Sequence, residues 1–266
     1  MSVAAAWNGP VGMHWAAHSE RYDAMLAPFD APLLDAAAIT AGDRVVDIGC
    51  GSGHTTRMAA RRAPRVRVTG VDISAPLLER ARALTDLPHV SYELGDAQVH
   101  PFEPGGYDVA ISRGGVMFFA DHIAAFTRIG GALRPGGRLA FVCPQPSPPQ
   151  SEESATLGLI ASLLGRDHAV EGEVAAAMAS LSEPERIRRV LGAAGFEDIG
   201  TAQVTAAAWW GSDAADAVDF FVSRASGTVV SDATRAAMLE ALLPYETADG
   251  VLLRAGVWVV SAHRPW

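Results

Sequence analysis

The chain has 266 residues, of which 49% are hydrophobic, and a formal net charge of −9. This length and apolar content can bury one large core, or one core with a small subdomain, and they exclude a largely disordered chain. All 21 basic residues are arginine, so no side-chain amine is present for Schiff-base chemistry, and no basic run predicts a nucleic-acid partner.

The two cysteines, Cys50 and Cys143, stand on or beside apolar stretches and not in a CxxC pair. They are too few for a disulfide scaffold or a zinc site, so we expect no metal centre. The chain has no apolar stretch of about twenty residues and no amino-terminal run of signal length. We therefore expect a cytoplasmic protein with no membrane partner.

Apolar residues at spacings of three and four predict helix over residues 13–38, with breaks at Pro28 and Pro32. Strands and helices then alternate. The strands are predicted at 44–48, 66–71, 90–94, 107–112 and 138–143, and the helices at 55–63, 75–85 (with Ser74 as N-cap) and 121–133. Such alternation with short connections predicts a parallel sheet covered by helices on both faces.

Beyond residue 143 this alternation stops. A proline-rich linker is expected at 144–151, and one or two alanine-rich helices at 152–180. Regular elements then resume, with helices predicted at 184–194, 213–225 and 232–243 and strands near 199–206 and 256–262.

The most informative segment is 45–53, VVDIGCGSG, in which a buried strand runs into a glycine-rich turn. Its third glycine comes one place too early for a dinucleotide-binding pattern, which needs glycine where His54 stands. Asp47 ends the strand, and a carboxylate there repels a pyrophosphate but attracts an ammonium group. The segment therefore favours a cofactor with an ammonium group and no phosphate, such as S-adenosylmethionine.

The same segment resembles the first motif of class I S-adenosylmethionine-dependent methyltransferases. Four later segments resemble that family's further motifs in the same order: 71–74, 95–97, 112–119 and 133–139. The resemblance is to small-molecule enzymes of quinone biosynthesis and natural-product tailoring. It implies an α/β fold with a Rossmann-like, doubly wound, seven-stranded, mostly parallel sheet, an antiparallel last strand and a helical cap.

Together with the element pattern, the resemblance divides the chain into six segments. We expect a helical cap over the cofactor (1–38), a cofactor-binding core (39–143), a helical insertion (144–182), a core helix and strand (183–208), a second helical insertion (209–254) and the last core strand (255–266). The acceptor site should lie among the cap and the two insertions.

The resemblance also implies roles for individual residues at the cofactor site. Asp47 would face the methionine amino group, and Asp72 would accept from both ribose hydroxyls. Further cofactor contacts are implied for Trp15 and Tyr22 of the cap, Gly49 and Gly51 at the methionine moiety, Ile73, Leu77, Asp96 and Ala97 at the adenine, and Ser112, Arg113 and Met117 near the sulfonium.

Methyl transfer from a sulfonium depends mainly on alignment and water exclusion, and a general base is optional. His14 and His18 lie four residues apart on a predicted helix and therefore share a face, so they are the candidates for such a base. An exposed surface pair is an equally good interpretation of the same spacing.

Two positions depart from the family pattern, because Gly114 replaces an aromatic residue and Pro144 a tryptophan. Their small size predicts room for a bulkier acceptor, such as an aromatic or quinone-like small molecule. Phe118, Trp209 and Trp210 are candidate acceptor contacts, although packing within a subdomain or a homodimer contact would also explain the tryptophans. The alternative functions are a non-catalytic S-adenosylmethionine-binding protein and an NAD(P)-dependent oxidoreductase.

Overall fold

The structure is a computed structural model that describes residues 3–146, 151–165, 176–225 and 229–266. At its centre lies one mixed sheet. Its strands are β1 Arg44–Ile48, β2 Arg67–Asp72, β3 Val90–Leu94, β4 Tyr107–Arg113, β5 Leu133–Pro144, β6 Glu197–Gly211, β7 Glu246–Thr247 and β8 Gly250–His263.

The strand order is β3-β2-β1-β4-β5-β8-β6, and β7 pairs with β8 beside this path. The first five strands are parallel neighbours, whereas β8 runs antiparallel between β5 and β6. The expected doubly wound, mostly parallel sheet with an antiparallel last strand is confirmed. The two-residue β7 brings the number of strands in the described residues to eight instead of seven.

Helices surround the sheet and form a cap at one side. They are α1 Val3–Trp7, α2 Pro10–Ala17, α3 Ser19–Leu26, α4 Asp30–Ala37, α5 His54–Arg62, α6 Ala75–Ala83, α7 His122–Ala132, α8 Glu152–Leu163, α9 Pro184–Ala193, α10 Ala214–Ser223 and α11 Asp232–Leu242. The segment predicted as one interrupted helix is three helices, α2 to α4. The chain breaks at His18 and at the 3-10 turn Ala27–Phe29, whereas Pro32 is tolerated in the first turn of α4.

Each face of the sheet buries its own apolar layer. Val45 of β1 and Ile111 of β4 face one layer, in which Leu33 of α4 is fully buried. Val46 faces the other layer, against Phe126 of α7. Because side chains alternate along a strand, Asp47 lies on the same face as Val45, under the amino-terminal cap. This alternation places a carboxylate where an apolar side chain would be expected.

The second half of the chain builds a smaller core from α8, α10 and α11, with Ile160, Val218 and Met238 buried in it. Strands β6 and β8 are longer than predicted and pair with each other well past the main sheet, as far as Gly211 and Val251. The segment 209–254 was expected to be a helical insertion, but it begins and ends as strand because this antiparallel pairing continues into it.

Candidate active site

Three charged side chains meet at the carboxyl ends of β1, β2 and β4. In the strand register, Asp47 lies opposite Gly70 on β2 and opposite Ile111 on β4. Asp72 and Arg113 follow those partners by two residues, so they share the face of Asp47. The strand order reverses between β1 and β4, and ligands of open α/β sheets bind at such a switch point.

The glycine turn after β1 has two different physical requirements. Gly49 has a φ of 65°, and a Cβ there would lie 2.8 Å from the Gly115 Cα, so glycine at this position allows the turn to pack against the loop after β4. Gly51 has a φ of 53°, and a Cβ there would meet no atom within 4 Å. The open side of the turn is therefore at Gly51, which is where a ligand can approach the backbone. At Gly49, glycine is needed for packing against Gly115, and the expected contact with the methionine moiety stays a prediction.

Asp47 is fully buried and incompletely hydrogen-bonded. The Thr56 hydroxyl of α5 donates to its Oδ2 at 2.7 Å, and among the described residues its Oδ1 has no hydrogen-bond partner. Burial raises the pKa of Asp47 to about 7, although the Thr56 hydrogen bond and the nearby Arg113 charge oppose the rise. A buried acceptor without a donor is costly, so it points to a cationic or N–H-bearing partner that the chain does not supply.

Asp72 ends β2 and holds the neighbouring turns in place. Its Oδ2 accepts from the Gly51 N–H and its Oδ1 from the Ser74 N–H, both at 2.8 Å. Burial raises its pKa above the ordinary value, and these backbone donors oppose the rise. The Ile73 N–H is a third backbone group that stabilises the charged form, and an ionised carboxylate with about four acceptor positions still has capacity for a ligand. Ile73 follows half-buried and Leu77 is buried on α6, consistent in position with the expected adenine contacts.

The third motif is pre-arranged by an internal hydrogen bond. Asp96 Oδ1 accepts from the Gln98 backbone N–H at 2.9 Å, and the Gln98 side-chain amide lies within 3.3 Å of both carboxylate oxygens. Gln98 also accepts from the Ala120 N–H at 2.8 Å. Ala97 is buried in the core. The expected adenine contacts of Asp96 and Ala97 stay predictions.

Ser112 is a bridge between strands and has no exposed surface. Its hydroxyl donates to the Ile48 carbonyl at 2.7 Å and accepts from the Gly115 N–H at 3.1 Å. These bonds occupy the hydroxyl, and the expected cofactor contact of Ser112 stays a prediction. Gly114 has a φ of 77°, which explains glycine where the family has an aromatic residue, and Met117 is buried beside it. Met117 therefore lies in the expected loop.

Arg113 belongs to an ionic network that joins the cap to the core. Its guanidinium contacts Asp23 of α3 at 2.5 Å and Asp30 of α4 at 2.9 Å. His54, the first residue of α5, contacts Asp30 at 2.8 Å and Asp23 at 3.5 Å. We call these four residues the ionic network. Arg113 thus binds cap carboxylates, where a direct cofactor contact was expected.

Sequence reasoning missed Asp23, Asp30 and the role of His54. The two aspartates are seven residues apart, which places them on one face of a continuous helix, but a 3-10 turn separates them here. Their shared partner Arg113 is 83 residues beyond Asp30 and 90 beyond Asp23, and no local pattern predicts that pairing. The only sequence signal for this pairing is the seven-residue spacing of the two aspartates, together with the arginine of the 112–119 motif.

The cap is also fastened to the turn between β2 and α6. The Asn8 side chain donates to the Ile73 carbonyl at 2.8 Å and accepts from the Ala75 N–H at 2.9 Å. The Ser74 hydroxyl donates to the Trp7 carbonyl at 2.6 Å, so Ser74 does not cap α6 with its side chain as expected. We call this contact the N-terminal clasp. It covers the end of β2 beside Asp72.

His14 and His18 share a helix face as predicted, with ring centroids 4.3 Å apart. His14 Nε2 lies 2.9 Å from the Ser223 hydroxyl, and its Nδ1 lies 3.2 Å from the Tyr22 hydroxyl. Both rings lie 5.9 Å from the ring of Phe220 on α10. The pair therefore faces the second insertion, half-buried, and is not a fully exposed surface pair.

Trp15 and Tyr22 stack face to face, with ring centroids 3.6 Å apart and planes within 4°. Trp7 meets Trp15 edge-on at 5.6 Å and Phe118 at 5.4 Å, so the aromatic row extends from the cap to the loop after β4. Tyr22 is 4% exposed and packs in the cap, which leaves only part of this row available to a ligand.

The tryptophan pair contributes to packing of the second insertion. Trp210 stacks on Phe221 at 4.9 Å, and Arg21 lies 5.3 Å from the Trp209 ring and donates to the Trp210 carbonyl at 2.6 Å. Pro144 is half-buried and pairs with Val257 of β8. These contacts support packing within the subdomain as the role of the two tryptophans. Acceptor contacts at these positions stay predictions.

Within the described ranges, no group of three His, Cys, Asp or Glu side chains is arranged to hold a metal ion. Nor does any helix in those ranges have the length and apolar character needed to cross a membrane. Both cysteines are buried, and burial raises the pKa of Cys143 to about 12.

This sheet, with its acidic residues at the ends of β1 and β2 and its open glycine turn, has the fold of class I S-adenosylmethionine-dependent methyltransferases. Comparison with known families agrees: residues 45–137 match the family described as "Methyltransferase domain". The match covers β1 to the start of β5 and leaves the cap and both insertions outside.

Individual relatives match the chain to different extents. Trans-aconitate 2-methyltransferase of Rhodopseudomonas palustris is 43% identical over 102 residues, which is 38% of each chain. The similarity thus spans well under half the length of that relative. Phosphoethanolamine N-methyltransferase 2 of Haemonchus contortus, solved with phosphomonomethylethanolamine and S-adenosylhomocysteine, is 18% identical, with a TM-score of 0.58 over 96% of this chain and 60% of its own. Geranyl diphosphate C-methyltransferase of Streptomyces coelicolor is 20% identical, with a TM-score of 0.54 over 90% and 79%. The two structures establish the fold.

Proposed function

We propose that this protein transfers a methyl group from S-adenosylmethionine to a small organic acceptor and releases S-adenosylhomocysteine. The observation that carries the proposal is the Oδ1 atom of Asp47, fully buried at the end of β1 and without a hydrogen-bond partner among the described residues. An ammonium group satisfies that atom, whereas a pyrophosphate oxygen would meet a like charge in a low-dielectric site.

The residues around Asp47 fit the rest of the donor. Gly51 offers an open backbone for the methionine moiety, and the remaining acceptor capacity of the Asp72 carboxylate suits the ribose hydroxyls. The half-buried Ile73 and the buried Leu77 supply an apolar wall beside Asp72 for the adenine. The donor supplies a sulfonium-activated methyl group, which needs no metal or redox partner.

The chain itself would contribute alignment and exclusion of water. The N-terminal clasp and the ionic network hold the cap down at two separate points, beside Asp72 and beside Asp47. If the acceptor requires deprotonation, we favour His18 over His14 as the general base, because both ring nitrogens of His14 already lie within hydrogen-bond distance of hydroxyls.

For the acceptor, we favour a neutral aromatic or quinone-like molecule over a polycarboxylate. The aromatic row of Trp7, Trp15 and Phe118 offers stacking surfaces beside the loop after β4. The arginines Arg21 and Arg113 that reach the cap are both paired with carboxylates. The similarity to the trans-aconitate enzyme spans 38% of each chain, so it does not by itself carry that enzyme's acceptor over to this protein.

Calorimetry with S-adenosylmethionine, S-adenosylhomocysteine and NAD tests the donor, and release of S-adenosylhomocysteine in the presence of phenols, quinones and tricarboxylates tests the acceptor. We expect the two sulfur ligands to bind and a phenol or quinone to be methylated. Binding of NAD alone would contradict the proposed function. Donor binding without turnover on any acceptor would favour a non-catalytic binding protein.

A further inference from the structure

We propose that Arg113, fixed by Asp23 and Asp30, is a positioning residue that keeps the carboxylate of Asp47 charged for the donor's ammonium group. The inference rests on the proposed function, because it assigns a role within the donor site. It concerns a residue whose expected role was direct contact with the cofactor. The geometry points instead to action through Asp47.

Arg113 is held in one position by two ion pairs. Its side chain is 11% exposed, and its two carboxylate partners are 14% and 4% exposed. The contacts use separate guanidinium nitrogens, Nη2 for Asp23 and Nη1 for Asp30. Two charge-assisted hydrogen bonds from two different cap helices fix both the position and the plane of the group. Such a guanidinium is not free to turn toward an arriving ligand.

The fixed group shares the sheet face of Asp47, across the β1–β4 pairing. The other charged or titratable groups near Asp47 are His54 on α5, Asp72 on β2, Cys50 in the turn, and Asp23 and Asp30 on the cap. Burial raises the pKa of Asp47, the Thr56 hydroxyl and then Arg113 oppose this rise, Asp72 adds to it, and His54 opposes it. Arg113 is thus the strongest full charge that favours ionisation of Asp47.

The two aspartates compensate the positive charge of Arg113. An unpaired guanidinium beside Asp47 would favour its ionisation but would also repel the incoming ammonium. With two carboxylates on Arg113, the network is not a net cation, while Arg113 itself lies on the Asp47 face of the neighbouring strand, two residues beyond the partner of Asp47. The site can therefore hold an anion ready without repelling the cation it is meant to bind.

The test measures affinity by calorimetry between about pH 5.5 and about pH 7.5, where the donor's amino group stays protonated. One probe is S-adenosylhomocysteine, and the other is its analogue in which hydrogen replaces the α-amino group. For Arg113→Gln, we expect about fivefold weaker S-adenosylhomocysteine binding than in the wild type at pH 7, with the pH at which binding is half lost moved upward, out of the measured range. The deaminated analogue should change by less than about twofold in the same variant, because it places no ammonium on Asp47.

The variant Asp23→Asn distinguishes the effect of the Arg113 charge from the effect of a weakened contact between cap and core. It also provides the test if Arg113→Gln does not fold. Both changes weaken the contact between cap and core, but Asp23→Asn leaves the cation in place. We expect its pH midpoint to stay at or below that of the wild type. An upward shift in Asp23→Asn, or equal weakening of both probes in Arg113→Gln, would overturn the role of Arg113. Absence of S-adenosylhomocysteine binding to the wild type would instead overturn the proposed function itself.

Discussion

Replacing Asp47 by asparagine should stabilise the donor-free protein while weakening donor binding. Asp47 is fully buried, and burial raises its pKa from 3.8 to about 7. For an acid with a raised folded-state pKa, the folding penalty is absent below the ordinary pKa and complete above the folded one. The penalty therefore grows between about pH 4 and about pH 7, and asparagine, which does not ionise, removes it.

The magnitude follows from that pKa. A rise from 3.8 to about 7 corresponds to about 4 kcal/mol of folding free energy above pH 7. The new amide would place an N–H group where Oδ1 has no partner among the described residues, which costs about 1–3 kcal/mol. The remaining gain is about 1–3 kcal/mol above pH 7, and it should vanish near pH 5.

Urea unfolding of donor-free wild type and Asp47→Asn at about pH 5 and about pH 8 measures this gain. Asp43→Asn is the matched control, because Asp43 is 7% exposed but is paired with Arg138 at 2.5 Å and accepts from the Thr40 N–H. The control should lose about 1–3 kcal/mol. A stability difference for Asp47→Asn that is equal at both pH values, or unfavourable at pH 8, would refute the reasoning. Donor affinity should fall at least about tenfold in the same variant.

The remaining predictions concern the turn, the ribose site and the clasp. Asp72→Ala should weaken S-adenosylhomocysteine binding at least about tenfold in calorimetry, and unchanged affinity would remove Asp72 from the ribose site. Gly49→Ala should cost roughly 2 kcal/mol or more in urea unfolding, because its Cβ meets the Gly115 backbone. Gly51→Ala should cost about 1–2 kcal/mol but weaken donor binding about tenfold, and equal behaviour of the two variants would contradict the distinction between them. Asn8→Ala should speed donor dissociation in stopped-flow fluorescence, and an unchanged rate would show that the clasp does not restrain the donor.

The core could be predicted from the sequence because its signals are local. The apolar run of β1 gives the strand Arg44–Ile48 with the predicted bounds, and the glycines after it stand at positive φ as a turn requires. The placement of Asp47 on a buried face follows from the alternation of side chains along β1. Because this placement alone makes the site repel a pyrophosphate, the preference for a cationic ligand does not depend on the rest of the fold.

Features that depend on contacts between distant segments could not be predicted in this way. Ser112 was expected at the cofactor, but its hydroxyl bridges two strand ends, which depends on how β1 and β4 align. Ser74 has the composition of an N-cap, yet its hydroxyl bonds to the Trp7 carbonyl of the cap. The partners of Arg113 come from helices that precede it by more than 80 residues. In each case the structure shows a protein partner from a distant segment that no local pattern predicts.

The extended pairing of β6 and β8 could not be predicted from the sequence for a different reason. The strand at 199–206 was predicted from a short apolar stretch, whereas β6 continues through two alanines and two tryptophans to Gly211. Alanine favours helix when judged alone, but here pairing with the antiparallel β8 continues as far as Gly211, with an irregularity between Trp209 and Gly211. Tertiary pairing therefore overrides local propensity in the segment that leads into the second insertion.

A crystal structure with S-adenosylhomocysteine would test the central claim most directly, because it locates the donor's ammonium group. The account predicts that the amino nitrogen lies within hydrogen-bond distance of Asp47 Oδ1, directly or through one water, with both ribose hydroxyls on Asp72. A bound ligand whose amino group lies elsewhere and leaves Asp47 Oδ1 without a partner would contradict it.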